Sequence, residues 1–283
     1  MTAIQVHPST QQTGAGYTHP VITTTMDGRS VVFKHNKEIS APLKPVDDII
    51  DRVADERDIA EVLASHLLDH QFHLPTVTYD QAFHVDGQGQ KHAGVISDFQ
   101  AEFHPLTEAD AHHLTNPDQA AAILVVRAWM GDWDCVYNDR NTLADHTPQG
   151  PAARAVDFGS ALADGVTSVG LPDANRHLLA AVATPARLSP WLDKITALSD
   201  DQIRHMVNEE GRLHIENWSP QQLARYSGVL IRNRDRLIQQ HPFDNPDSPL
   251  GENATRFLMT NDVANGVRYA VESGARRLQR LFR

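Results

Sequence analysis

Strand patterning comes early in this sequence and helix patterning late. That order constrains the fold more than any single motif, because segregated strands and helices imply an α+β chain and not alternating βαβ units. VITTT (21–25) and RSVVFK (29–34) flank Asp27-Gly28, and β-branched runs around an Asp-Gly turn read as a β-hairpin. A short strand is expected around AIQVH (3–7), and TGAGYTHP (13–20) reads as a loop. From Val46 to His70 the residues Ile49, Ile50, Val53, Ile59, Val62, Leu63 and Leu67 recur at helical spacing, and Pro75 stops the pattern. TVTYD (76–80) and AGVISDF (93–99) are expected strands around a turn at DGQGQ (86–90).

After Phe99 the texture changes. Helices are expected at TEADAHHL (107–114), from the Asn116-Pro117 start through DQAAAILVVRAWM (118–130), and over most of 175–240, where serines stand at N-cap positions. Only a pair of short strands interrupts them, NTLA (141–144) and ARAVDF (153–158) around HTPQG (146–150). The expected organisation is a β-rich lobe over 1–99, a helical lobe over 100–245, and a linker with a last helix over 246–283. That helix ends in ARRLQRLFR (275–283). Its basic end suits the C-terminal end of a helix packed on the second lobe.

Composition removes several function classes. Lys plus Arg number 25 against 36 Asp plus Glu in 283 residues, a formal net charge of −11. Such a balance repels a phosphate backbone, so no nucleic-acid partner is expected. One cysteine permits no disulfide framework within the chain. No apolar run approaches the roughly 20 residues of a membrane span, and MTAIQVHPST does not read as a signal peptide. A cytoplasmic location is expected, and a route of secretion that needs no signal is equally compatible. Sixteen histidines invite a zinc reading. His112-His113 has no H-E-x-x-H frame, however, and no cysteine pair exists, so zinc is not expected.

The chemistry concentrates in GDWDCVYNDRN (131–141), directly behind the apolar run. Asp132, Asp134 and Asp157 are separated by a strand-turn-strand segment whose ends meet, which gathers acids beside Asn141. Like charges that close repel unless a cation or proton is shared, and hard divalent ions take oxygen ligands of this type. Lys34 ends a strand behind a glycine-bearing loop, an arrangement in which backbone N–H groups and an ammonium face phosphates. Glu61 lies on the one helix of the same lobe, where it can pair with Lys34. Cys135 sits beside these acids as a packing residue, and Trp129 and Trp133 bracket the loop as anchors.

In order these parts resemble the protein-kinase-like superfamily, and most closely its atypical branch, which includes HipA-type bacterial kinases and phosphatidylinositol 3/4-kinases. SVVFK (30–34) resembles the VAIK strand, EVLASHLLDHQFHLP (61–75) the helix-C segment with its glutamate, and VISDFQ (95–100) the hinge. GDWDCVYNDRN resembles the catalytic loop, and RAVDFG (154–159) the metal-binding DFG. The resemblance spans about Gly14 to Gln240 and implies a bilobal protein-kinase-like fold, with a β-rich N-lobe and an α-helical C-lobe.

It also implies ATP between the lobes. Gly14-Ala15-Gly16 and the Thr18 hydroxyl would border the phosphates, Lys34 held by Glu61 would contact them, and Ile96, Asp98 and Phe99 would border the adenine. Asn141 and Asp157 would hold Mg²⁺. Protein kinases space the catalytic Asp and the Asn by five, whereas Asp134 to Asn141 is 141 − 134 = 7. The loop therefore carries an insertion. Asp134 is the preferred base, with Asp132 as the alternative. The function implied is transfer of the γ-phosphate to a Ser/Thr hydroxyl of a protein or peptide. A lipid or small-molecule kinase, a nucleotide-binding pseudokinase and an AMP transferase are the alternatives.

Overall fold

The structure, a computed structural model, describes residues 3–7, 20–35, 47–132, 141–159, 161–162, 178, 181–182 and 184–239. The Gly14-Ala15-Gly16 loop, Thr18, the stretch from Trp133 to Arg140 with Asp134 and Cys135, and the segment 246–283 lie outside the described residues.

The expected hairpin forms from β2 (Val21–Thr24) and β3 (Ser30–His35), which pair antiparallel with Val21 opposite Phe33. Gly28 supplies the positive φ, +90°, that the turn between them requires. With β1 (Ile4–Val6), β4 (Asp80–Val85) and β5 (Lys91–Asp98) they make a five-stranded sheet in the order β1-β4-β5-β3-β2. Alternation assigns its two faces. Val31, Phe33, Ala82 and Ile96 form a small core with Val6 on one face. Val95 turns to the other face and enters the main core beneath α1 (Asp47–His66). Lys34 pairs with Val95, so Lys34 lies on the face that α1 covers.

The periodic helix expected over 46–70 is α1 followed by a π-helical turn, Leu67–Gln71. There the Phe72 N–H donates to the Leu67 carbonyl at 3.3 Å. Leu63, Leu67 and Leu68 are fully buried in the main core, as the spacing requires. TVTYD is not a strand of the sheet. Pairing with β5 begins only at Asp80, opposite Ile96. Residues 75–77 run instead along the second sheet, where Thr76 bridges Ala155 and the Val77 N–H donates to the Ala155 carbonyl. The β-branched residues serve this single bridge, while the ladder falls on the less strand-like DQAFHV.

That second sheet, β6 (Phe103–Pro105), β7 (Thr142–Thr147) and β8 (Gly150–Ala155), has the order β6-β7-β8. The turn between β7 and β8 was legible in the sequence; the three-residue β6 was not. The helices are α2 (Glu108–His112), α3 (Pro117–Met130), α4 (Pro185–Thr196), α5 (Asp200–His214) and α6 (Pro220–Gln239). From Ala120 to Val126 every side chain of α3 is buried, as befits a helix that is apolar all round. Trp129 donates its indole N–H to the Leu230 carbonyl at 2.9 Å, and Asn233 donates to the Trp129 carbonyl at 2.8 Å, fixing α3 to α6. The result is the α+β, two-lobed organisation expected from the sequence, with one main core running from α1 through α3 to α4, α5 and α6.

Candidate active site

Four elements meet at Lys34. It comes from β3, Glu61 from α1, Asp157 from the end of β8, and Tyr79 from the segment ahead of β4. The Lys34 ammonium pairs with Glu61 Oε1 and lies 3.0 Å from Asp157 Oδ1 and 4.9 Å from the centre of the Tyr79 ring. Glu61 is almost completely buried, whereas the Asp157 carboxylate keeps 30% of its surface exposed. One side of the group is therefore closed and the other open.

The electrostatics follow from this packing. Burial disfavours the Lys34 ammonium, yet Asp157 and Glu61 together push its pKa well above the ordinary lysine value. Burial would likewise raise the Asp157 carboxyl, but Lys34, with Arg57 and Arg127 nearby, holds it below the usual carboxylate value. In Glu61 burial wins over Lys34, and the carboxyl is raised. Burial pushes the Tyr79 phenol up to about 12, with Lys34 acting in the opposite direction. Tyr79 thus stays neutral, and its hydroxyl accepts the Asp157 N–H at 3.3 Å. Asp157 itself has a φ of +58°, a left-handed conformation that Asp tolerates better than branched residues do. Such backbone persists where its surroundings over-determine it, commonly at functional sites.

The surroundings in question are organised by Arg127, a residue that sequence reading passed over as part of an apolar helix. Arg127 is 1% exposed and Asp132 is fully buried. The guanidinium places Nε at 2.8 Å and Nη2 at 2.6 Å from Asp132 Oδ2. Nη1 donates to the carbonyls of Asn141 (2.7 Å) and Val156 (3.1 Å), and Nη2 to that of Asp157 (3.0 Å). Five contacts match the five N–H donors of a guanidinium. One buried cation thereby joins the start of the acidic loop to its end at Asn141 and to the Asp157 backbone.

The same guanidinium lies 4.8 Å from the centre of the buried Phe158 ring. Gly131 sets the loop's departure. It has φ +67°, and the Gly131 and Asp132 N–H groups donate to the Ala128 and Arg127 carbonyls, the paired bonds of a glycine-terminated helix. Asp132 is thereby committed to Arg127 at the root of the loop.

Asn141 is 2% exposed, and its side-chain amide nitrogen is buried without a hydrogen-bond partner. A buried amide N–H₂ of this kind calls for an acceptor such as water or a ligand oxygen, and it leaves the amide oxygen as the group that can meet a cation. Arg127 ties the Asn141 and Asp157 backbones together, and an amide oxygen and a carboxylate are hard donors of the kind a Mg²⁺ ion takes, so the residue types present fit that ion.

The hinge residues divide by face. Ile96 points into the small core on the face opposite Lys34, so only its backbone borders the covered face. Ser97 pairs with Val32, and alternation puts it with Lys34 and Val95. Sequence reading missed this serine, and strand period would have found it. Asp98 and Phe99 are exposed at the end of β5. Asp98 lies 3.7 Å from Arg29 Nη1, and the Phe99 N–H donates to the Ser30 carbonyl. Arg57, on α1, donates to the Gly159 carbonyl at 3.1 Å, a second tie between α1 and the Asp157 segment.

Among the described residues, no helix is long and apolar enough to cross a membrane. No family model matches the chain, and no curated protein matches it. In overall arrangement it is similar to the crystal structure of the Golgi casein kinase with Mn/ADP bound, with 10% identity and a TM-score of 0.48, over 93% of this chain and 75% of that one. At that identity and score no residue role passes from one protein to the other.

Proposed function

We propose that the chain is an ATP- and Mg²⁺-dependent phosphotransferase of kinase-like fold that moves a γ-phosphoryl group to a Ser/Thr hydroxyl of a protein or peptide. The observation that carries this reading is Lys34, fixed by buried Glu61 and bridged to the partly exposed Asp157 side chain. An ammonium restrained in this way is set to meet phosphate oxygens without reorganising, which is how preorganised charge lowers a barrier.

In this reading Lys34 binds the α- and β-phosphates and Glu61 holds it. Asn141 and Asp157 hold the metal, which when bound neutralises phosphate charge as the transferred group leaves. The acceptor oxygen bonds to the γ-phosphorus, the bond from that phosphorus to the β–γ bridging oxygen breaks, and the hydroxyl proton passes to Asp134. Asp132, bound to Arg127, positions the loop and takes no proton. The backbone of Ile96 to Phe99 borders the adenine, with the Gly14-Ala15-Gly16 loop and Thr18 over the phosphates.

Incubation with γ-labelled and, separately, α-labelled ATP plus Mg²⁺ and a mixed peptide library tests the reading. Label carried from the γ position to peptide serine or threonine is the expected result. Transfer from the α position means nucleotidyl transfer, and binding without transfer means a pseudokinase; either result overturns it.

A further inference from the structure

At the C-terminal end of α1, three histidines and a glutamate converge where α1 meets α5. His66 closes α1 and His70 lies in the π-helical turn; Glu210 and His214 lie on α5. One ligand atom from each of the four lies within 4.8 Å of the others. We propose that this group is a zinc-binding site that clamps α1 to α5.

The spacing between donors supports it. Glu210 Oε2 is 2.9 Å from His70 Nδ1 and 3.5 Å from His214 Nε2. Tetrahedral zinc with bonds of about 2.0–2.1 Å separates its ligand atoms by about 3.3 Å. Three imidazoles and one carboxylate are donors that zinc accepts.

Two of the four ligands have the outer hydrogen bond that fixes the orientation of a metal ligand. His66 Nε2 bonds the Tyr79 carbonyl at 3.0 Å, which leaves Nδ1 as the atom with a free lone pair. Glu210 Oε1 accepts from Gln71 at 2.6 Å, which leaves Oε2 facing the histidines. His70 Nε2 and His214 Nδ1 face the Asp69 and Asp80 carboxylates at 3.6 and 4.0 Å, beyond hydrogen-bond distance.

Without an ion the packing has a cost. His66 Nδ1 and both ring nitrogens of His214 are buried without hydrogen-bond partners, and the His66 and His214 rings, stacked with centroids 3.5 Å apart, turn out of parallel when both reach one ion. In the sequence the signal is two i,i+4 pairs, HLLDH (66–70) and EGRLH (210–214). Neither contains the H-E-x-x-H frame or a cysteine, which is why zinc was not expected.

The inference does not depend on the phosphotransfer reading. Metal content by plasma mass spectrometry and thermal melting, with and without Zn²⁺, test it on the full chain after chelation and dialysis against Zn²⁺. Stoichiometric zinc and a higher Tm with Zn²⁺ than with chelator are expected. Both should be lost in His214→Ala and in His70→Ala, and kept in His104→Ala, which alters the separate His104, Asp110 and His146 group. His70 is 42% exposed, so its variant folds even where removal of the more buried His214 is not tolerated. Zinc retained by His70→Ala at the wild-type level, or no zinc and no Tm shift in the wild type, overturns the proposal.

Discussion

The Lys34 ammonium and the Asp157 carboxylate lie 3.0 Å apart although Lys34 stands in the five-stranded sheet and Asp157 follows the three-stranded one, and buried Glu61 pairs with the same ammonium. If this bridge is the phosphate and metal site, Lys34→Met and Asp157→Ala should each reduce Mg²⁺-dependent ATP turnover by at least about 10²–10³-fold, the loss typical of one preorganised electrostatic group. Far-ultraviolet circular dichroism should change little. Turnover at the wild-type rate in either variant contradicts the assignment.

Arg127 and Asp132 should behave as a structural pair. Removing one partner of a buried, hydrogen-bonded ion pair costs about 3–5 kcal/mol, and at roughly 2–4 °C per kcal/mol Arg127→Met should lower Tm by roughly 10 °C. Asp132→Asn should lower Tm and turnover together. Asp134→Asn should lower turnover much more than ATP affinity and leave Tm near the wild-type value. Thermal melts beside steady-state rates separate the two aspartates, and the reverse pattern makes Asp132 the base.

Gly94 allows β5 to approach β3. A Cβ there would overlap the Lys34 carbonyl and come within 2.8 Å of the Phe33 ring. Gly94→Ala should therefore push the Lys34 strand away, with a stability loss of about 1–3 kcal/mol from overpacking and a weakened affinity for ATP. Equilibrium unfolding in urea, paired with a nucleotide titration, checks both. Unchanged affinity in a destabilised variant means that the strand shift does not reach Lys34.

Tyr79 accepts the N–H of the left-handed Asp157. Tyr79→Phe keeps the ring under Lys34 but leaves that N–H without its partner, a cost of about 1–3 kcal/mol for a buried donor. A fall in Tm with ATP turnover reduced much less than in Lys34→Met is expected. Loss of turnover equal to that of Lys34→Met would place the phenol in the chemistry itself.

Much of this architecture could be read from the sequence because it rests on local rules. The Asp27-Gly28 hairpin, the spacing of Val62, Leu63 and Leu67, and the serine at the start of α5 each specify an element within a few residues of chain. Long-range contacts were not legible. TVTYD has strand composition, yet Thr76 pairs with Ala155, 79 residues away (155 − 76 = 79), and the sheet takes DQAFHV instead. Arg127 reads as one charge on an apolar helix; its role depends on Asn141, Val156 and Asp157 arriving around it. At the candidate site, residue types and order pointed to Lys34, Glu61, Asn141 and Asp157. The left-handed φ of Asp157 and the Tyr79 hydroxyl beneath it come only from tertiary packing.

The most direct measurement of the central claim is anomalous scattering from Mn²⁺, standing in for Mg²⁺, in a crystal grown with a non-hydrolysable ATP analogue. A manganese peak between the Asn141 side chain and the Asp157 carboxylate, with phosphate oxygens against Lys34 Nζ, is expected. A nucleotide bound away from Lys34, or manganese that never approaches Asp157, contradicts it.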